Sequence, residues 1–184
     1  MDDLSDLLRY EIKNVKPVST ESYAAALASV SEEFEQYLSL HISRAEIPAY
    51  RMHMASVRAG SIISELAPYL AGTIPLLEAA KNVKDYATYL STVIQWLLGK
   101  ADRPAIADEK KTLKNIANIV RPTVHDNGAQ MNIGVVSGNT FNINVSLGEL
   151  QARTVLGAAK ARLESTAETA AGVLHELSLI HISE

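Results

Sequence analysis

The sequence predicts an α+β protein in which an antiparallel sheet, built from two β-hairpins, packs against long amphipathic helices. Two segments, at 50–67 and 131–145, alternate as strands do around a turn, and each precedes a long segment with apolar residues three and four apart. With 184 residues, 47% of them hydrophobic, the chain can bury a sizeable core. We therefore expect a single α+β domain over residues 1–176.

Two helices are predicted before the first hairpin. The first, from Asp3 to Val15, has apolar residues on one helical face and ends at Pro17. The second begins after Ser19 or Thr20, either of which can accept a backbone N–H bond as N-cap. The polar side of this helix, which we expect to face solvent, carries Ser31, Glu32, Glu33, Glu35 and Gln36.

The first hairpin is predicted from Tyr50 to Ala67, with Gly60 in its turn because glycine adopts positive φ without a Cβ clash. A long helix over 73–98 follows, in which Pro75 falls in the first turn, where its missing N–H is not needed. Gly99 is placed to end this helix.

A shorter helix is predicted between a cap at Asp108 and an end at Pro122. The second hairpin follows, with its turn at 137–139. Its apolar residues, which we expect together on the face against the helices, are Met131, Ile133, Val135, Phe141, Ile143 and Val145. Ser146 and Glu149 match a capping box and predict a last helix from 147 to about 171.

Composition excludes several functional classes. The 17 Lys and Arg against 21 Asp and Glu give a net charge of −4, which argues against general nucleic-acid binding. The absence of cysteine excludes disulfides, thiolate nucleophiles and cysteine-ligated metals. Charged residues interrupt the apolar 73–98 segment, so we expect no membrane span, and the acidic start of the chain favours a cytoplasmic protein.

The strongest chemical signal is the sequence His125-Asp126-Asn127-Gly128. A histidine oriented by an aspartate can act as a general base, but neighbouring residues seldom reach that geometry. A turn built on Asp126, Asn127 and Gly128 explains the same residues. We keep His125 and Asp126 as binding candidates and expect no catalytic or metal-ligating residue and no cofactor, because the known loop and ligand motifs are absent.

Asn132, Asn142 and Asn144 are further binding candidates. The strand alternation places all three on the solvent face of the second hairpin, where amide groups could bind sugar or base edges. A solvated sheet face is the simpler explanation of the same residues.

Segments 54–66 and 128–133, together with the helix that ends at 172–176, resemble a bacterial and phage family of uncharacterised proteins, over about 50–176. The resemblance implies a real fold and brings no known activity, cofactor or site residue. The last eight residues, Leu177 to Glu184, resemble a translated sequencing adapter from a tagmentation (metagenomic) library. We therefore expect 177–184 to be a non-native tail and the domain to be truncated at its C-terminus.

These observations favour a binding or interaction module without catalytic activity, whose partner is another protein or a second copy of the chain. One alternative is an enzyme or enzyme subunit that uses His125 and Asp126 with residues from a missing C-terminal region. The other is an oligomerising scaffold that uses the 73–98 helix.

Overall fold

A computed structural model describes the backbone of residues 6–41, 50–58, 61–70, 74–75 and 77–180, and their side chains except at 50–51, 57–58, 69–70, 74–75, 77–81 and 167–180. The elements in chain order are β1 (Leu7–Lys13), α1 (Thr20–Leu38), β2 (Tyr50–Arg58), β3 (Ile62–Leu70), β4 (Ile74–Pro75), α2 (Leu77–Leu97), α3 (Glu109–Val124), β5 (Gln130–Ser137), β6 (Thr140–Gly148) and α4 (Glu149–Ile180). The predicted α+β class, with both hairpins, is confirmed.

The described strands form one antiparallel sheet in the order β2-β3-β1-β5-β6, with the short β4 beside β3. The predicted helix over Asp3 to Val15 is wrong, because β1 lies in the middle of this sheet and joins the two hairpins. Its buried apolar residues are Leu8, Tyr10 and Ile12, which alternate with a period of two. Pairing with a neighbour on each side outweighs the local helical spacing.

One face of the sheet, which we call the inner face, packs against all four helices. Its buried apolar residues include Leu8, Tyr10, Ile12, Leu66, Met131, Ile133, Val135, Val145 and Leu147, and they form a single cluster with buried residues of the helices. Tyr10 Oη also donates to the carbonyl of Ile119 in α3 at 2.8 Å, which satisfies its buried hydroxyl. The opposite side is the outer face.

The helix ends follow local sequence signals in part. Ser19 caps α1 and Asp108 caps α3, as predicted, and each side chain accepts a backbone N–H. Gly99, at φ +71°, ends α2, also as predicted. Pro122 does not end α3, which continues to Val124, because proline removes a single N–H and the last turn is held by burial against the core.

The starts of α2 and α4 differ from prediction. Pro75 pairs with β3 as part of β4, so α2 begins only at Leu77. Ser146 belongs to β6, and Gln151 Oε1 instead accepts the N–H of Gly148 at 3.2 Å, which caps α4. Helix α4 continues past the predicted end at about 171, through Leu177 to Ile180, while 181–184 and the predicted turn residue Gly60 lie outside the described residues.

The second hairpin carries a β-bulge that changes which residues face the helices. Ile133 pairs with Val145 but Gly134 pairs with Ile143, so Asn144 is the extra residue of β6. Beyond the bulge the alternation is reversed, because a shift of one residue turns each side chain to the other face. The prediction that Phe141 and Ile143 pack on the helices is therefore wrong, since both lie on the outer face.

Gly134 makes this bulge sterically possible. A Cβ atom on Gly134 would lie 2.0 Å from the carbonyl oxygen of Asn142, far inside van der Waals contact. Any other residue would push the two backbones apart. The reversed alternation in β6 is thus built into the sequence at this glycine.

Candidate functional site

The outer face carries an ion pair at its centre. Arg9 donates from Nε and Nη2 to Oε1 of Glu65, at 3.2 and 2.6 Å. Ser56 Oγ donates to the other carboxylate oxygen at 2.7 Å. Glu65 is only 4% exposed, so the cation and the hydroxyl provide the compensation that a buried carboxylate requires.

A second acidic group on the same face lacks such compensation. Glu11 in β1 is 8% exposed and its Oε2 accepts one bond, from Asn132 Nδ2 at 2.8 Å. Asn132 in β5 is fully buried, and its Oδ1 has no hydrogen-bond partner among the residues that the structure describes. Of the ion pairs formed among the described residues, none includes Glu11. We refer to these two residues as the Glu11/Asn132 pair.

Apolar and aromatic groups lie beside these polar groups. Phe141 places its ring centroid 4.6 Å from the guanidinium carbon of Arg9, a cation–π contact. The ring reaches across β5 at a point where Gly134 has no side chain. Ile143 is 51% exposed. The outer face therefore combines an aromatic ring, a guanidinium, an exposed isoleucine and a carboxylate that no described cation pairs with.

A third buried carboxyl group lies inside the helical layer. Glu33 in α1 is fully buried, and it accepts from Tyr89 Oη at 2.9 Å, Thr112 Oγ1 at 2.8 Å and Asn115 Nδ2 at 2.9 Å. The predicted solvated position of Glu33 is wrong, because α3 packs over that side of α1. Burial raises the pKa of Glu33, while the three donors oppose the rise, and burial also raises the pKa of Tyr89.

A polar surface groove of about 480 Å³ lies between α1 and α3, next to this cluster. Its lining residues are Ala28, Ser31, Glu32, Glu35, Gln36, Lys111 and Asn115. Glu33 itself has no exposed surface, so the groove touches the cluster through Asn115 alone. The Glu33 cluster thus ties α1, α2 and α3 together from within.

The predicted pair His125 and Asp126 forms a loop junction. His125 is exposed at the end of α3, whereas Asp126 is 3% exposed. Asp126 Oδ2 accepts the backbone N–H groups of Val15 and Lys16, at 2.6 and 2.8 Å. The carboxylate is therefore hydrogen-bonded to the loop after β1, and Gly128, at φ +91°, completes the turn.

The three predicted asparagines do not share a surface. Asn132 is buried on the outer face, whereas Asn142 is exposed and, beyond the bulge, has the register of the inner face. Asn144 is the extra residue of the bulge, and its carbonyl accepts from Ser91 Oγ of α2 at 3.1 Å. The bulge separates the side chains that the alternation had placed together.

The sequence did not predict Arg9, Glu11, Glu65 and Phe141 as site residues. They lie in three segments that are far apart in the sequence, and they come together only because β1 lies between the two hairpins. A charge at every second position of 9–13 was the available signal for a strand with one polar face.

Among the described residues, no group of three or more His, Cys, Asp or Glu side chains is placed to hold a metal ion. No helix within the described ranges combines the length and the apolar composition that a membrane crossing requires. No family model, curated protein or solved structure matches the chain.

Proposed function

We propose that this chain is a protein-interaction module without catalytic activity, and that it docks its partner on the outer face of the sheet. The observation that carries the proposal is the bulge at Asn144, which turns Phe141 and Ile143 away from the helical core. Bulges are used to re-aim side chains next to functional sites. Here the bulge places apolar groups beside a set of charged ones.

The energetics favour a surface that is completed by a partner. Full burial of an isoleucine contributes about 1.5–3 kcal/mol, much of which Ile143 forgoes at 51% exposure. A partner that covers Ile143 recovers this free energy. Arginine and aromatic residues dominate the binding energy of interfaces, and Arg9 with Phe141 supplies both.

The strands also hold these groups in place before binding. Arg9 is fixed by Glu65 on one side and Phe141 on the other. Side chains that are already ordered lose little conformational entropy when a partner docks. The outer face thus has the rigidity that a binding surface needs.

The two alternatives receive less support. An enzyme based on His125 and Asp126 needs the carboxylate to orient the ring, whereas Asp126 Oδ2 accepts the N–H groups of Val15 and Lys16. A scaffold based on α2 needs an exposed apolar face, whereas Val83, Leu90, Ile94 and their apolar neighbours are buried in the core. Bacterial or phage origin and a cytoplasmic location stay predictions.

Site-specific photo-crosslinking tests the proposal. A photoreactive phenylalanine analogue replaces Ile143 in one variant and Lys160, exposed on α4, in a control variant. We expect adducts of one defined mass from position 143 alone, and their loss when Phe141→Ala is added. A mass of two chains would identify the partner as a second copy. Equal labelling from both positions, or none from 143, would overturn the proposal.

A further inference from the structure

We infer that the partner contributes an arginine side chain whose guanidinium docks at the Glu11/Asn132 pair. This inference rests on the proposed function and names the chemistry of the contact. From the described part of the chain, Glu11 receives one neutral donor and Asn132 Oδ1 receives none, although both residues are at least nine-tenths buried. Buried charges in proteins are normally paired, so the site lacks a cationic donor.

The neighbouring cationic side chains that the structure describes do not fill this position. Arg9 lies two residues before Glu11 on the same strand, but its Nε and Nη2 donate to Glu65. Lys13 lies two residues after Glu11, is exposed, and takes part in none of the ion pairs between described residues. Because no described side chain of this protein supplies the cation, we assign it to the partner.

The arrangement of acceptors favours a guanidinium. A carboxylate and an amide oxygen on adjacent strands match the planar fork of donors that arginine presents, whereas an ammonium is a compact and strongly hydrated charge. A hard divalent ion would require about six oxygen ligands. Phe141, on the same face, already contacts the guanidinium of Arg9. The outer face is thus suited to arginine.

Access to the two acceptors differs. The exposed part of Glu11 is open to an incoming group, whereas Asn132 Oδ1 is enclosed. Gln130, on the same face, donates from Nε2 to Ser146 Oγ at 2.7 Å, and Ser146 is the strand partner of Asn132. The guanidinium therefore pairs first with Glu11, and its contact with Asn132 Oδ1 requires the surrounding side chains to rearrange.

An NMR titration of the full ¹⁵N-labelled chain tests this inference. The probe is acetyl-Gly-Arg-Gly-amide, and the matched control is the same peptide with citrulline, which keeps the shape and removes the charge. We expect millimolar binding of the arginine peptide, with shifts of the Asn132 side-chain amide and the Gly134 backbone amide. Equal shifts with the citrulline peptide, or no shifts at these two residues, would refute the inference. This test needs no mutated protein.

Two variants locate the contact. Glu11→Gln should weaken arginine-peptide binding about tenfold, because it removes the charge from the acceptor. Glu164→Gln makes the same charge change at an exposed position of α4 and should leave binding unchanged. Equal weakening by both would indicate general charge attraction and count against the site. Free methylguanidinium binding as tightly as the peptide would point to a small-molecule ligand and overturn the arginine assignment.

The crosslinking experiment separates this inference from the proposed function. If adducts from position 143 persist undiminished in Glu11→Gln, the outer face still docks a partner but the arginine contact is wrong. If the arginine peptide binds while position 143 gives no adduct, the acceptor pair is right and the protein-docking role is wrong.

Discussion

Glu33 and Glu11 are both buried carboxyl groups, but they differ in how completely the fold satisfies them. Glu33 accepts three hydrogen bonds from two other helices, whereas Glu11 accepts one, from Asn132. Glu33 is fully enclosed, and Glu11 keeps 8% of its surface exposed. The hydrogen bonds to Glu33 are therefore completed within the protein, whereas Glu11 lies at the surface and can accept a further donor.

The difference follows from what each group has to hold together. The donors to Glu33 come from Tyr89 in α2 and from Thr112 and Asn115 in α3, so one carboxyl group fixes three helices. Glu11 lies in a sheet whose strands are already joined by backbone hydrogen bonds. The fold therefore depends on Glu33 far more than on Glu11.

Replacement of each group by leucine should separate the two roles most strongly. Glu33→Leu leaves three buried donors without an acceptor and should lower the free energy of unfolding by about 3 kcal/mol or more. Glu11→Leu leaves a single donor, Asn132 Nδ2, and removes a charge that no cation of the described residues balances, so the loss should be about 1 kcal/mol or less. Urea unfolding of both variants measures the difference, and similar losses would show that Glu11 too is structural.

The bulge that exposes Phe141 and Ile143 can be broken at Gly134. Gly134→Ala places a Cβ 2.0 Å from the Asn142 carbonyl, so the strands must separate, at a cost of about 2 kcal/mol in unfolding free energy. The yield of photo-crosslinked adducts from position 143 should also fall in this variant, because the outer face is rearranged. The matched control is Gly157→Ala, in a helix with nothing within 4 Å of the added Cβ, which should gain about 0.5–1 kcal/mol. Retained stability in Gly134→Ala would mean that the bulge does not depend on this glycine.

Local sequence signals predicted much of the fold. The caps at Ser19 and Asp108, the turn at Gly138 and the end of α2 at Gly99 each depend on neighbours within a few residues, and the structure contains all of them. Both hairpins were predicted for the same reason. Contacts between distant segments decided the rest.

Strand β1 shows why contacts between distant segments could not be predicted from the local sequence. Leu7, Leu8 and Ile12 fit a helical face as well as a strand, and only pairing with β3 and β5 selects the strand. The local sequence also could not show which side of α1 faces solvent, because Glu33 is covered by α3, which follows about 80 residues later. In β6, Gly134 was a visible signal of a bulge, but which residues it would turn outward depended on the register with β5.

Glu33 should also give the protein a small pH dependence of stability. Burial raises the pKa of Glu33 from 4.5, so its contribution to stability is full below that pH and is lost as pH rises through the folded-state pKa, because the unfolded chain releases the proton first. Glu33→Gln has no proton to release. Its amide oxygen can accept from Tyr89 and Thr112, and its NH₂ can donate to Asn115 once that amide has turned. The stability of Glu33→Gln relative to the native chain should therefore increase as pH rises above 4.5 in a urea titration, by about 1.4 kcal/mol per pH unit at most. A difference that stays constant with pH would mean that the three hydrogen-bond donors fully offset the effect of burial on the pKa of Glu33.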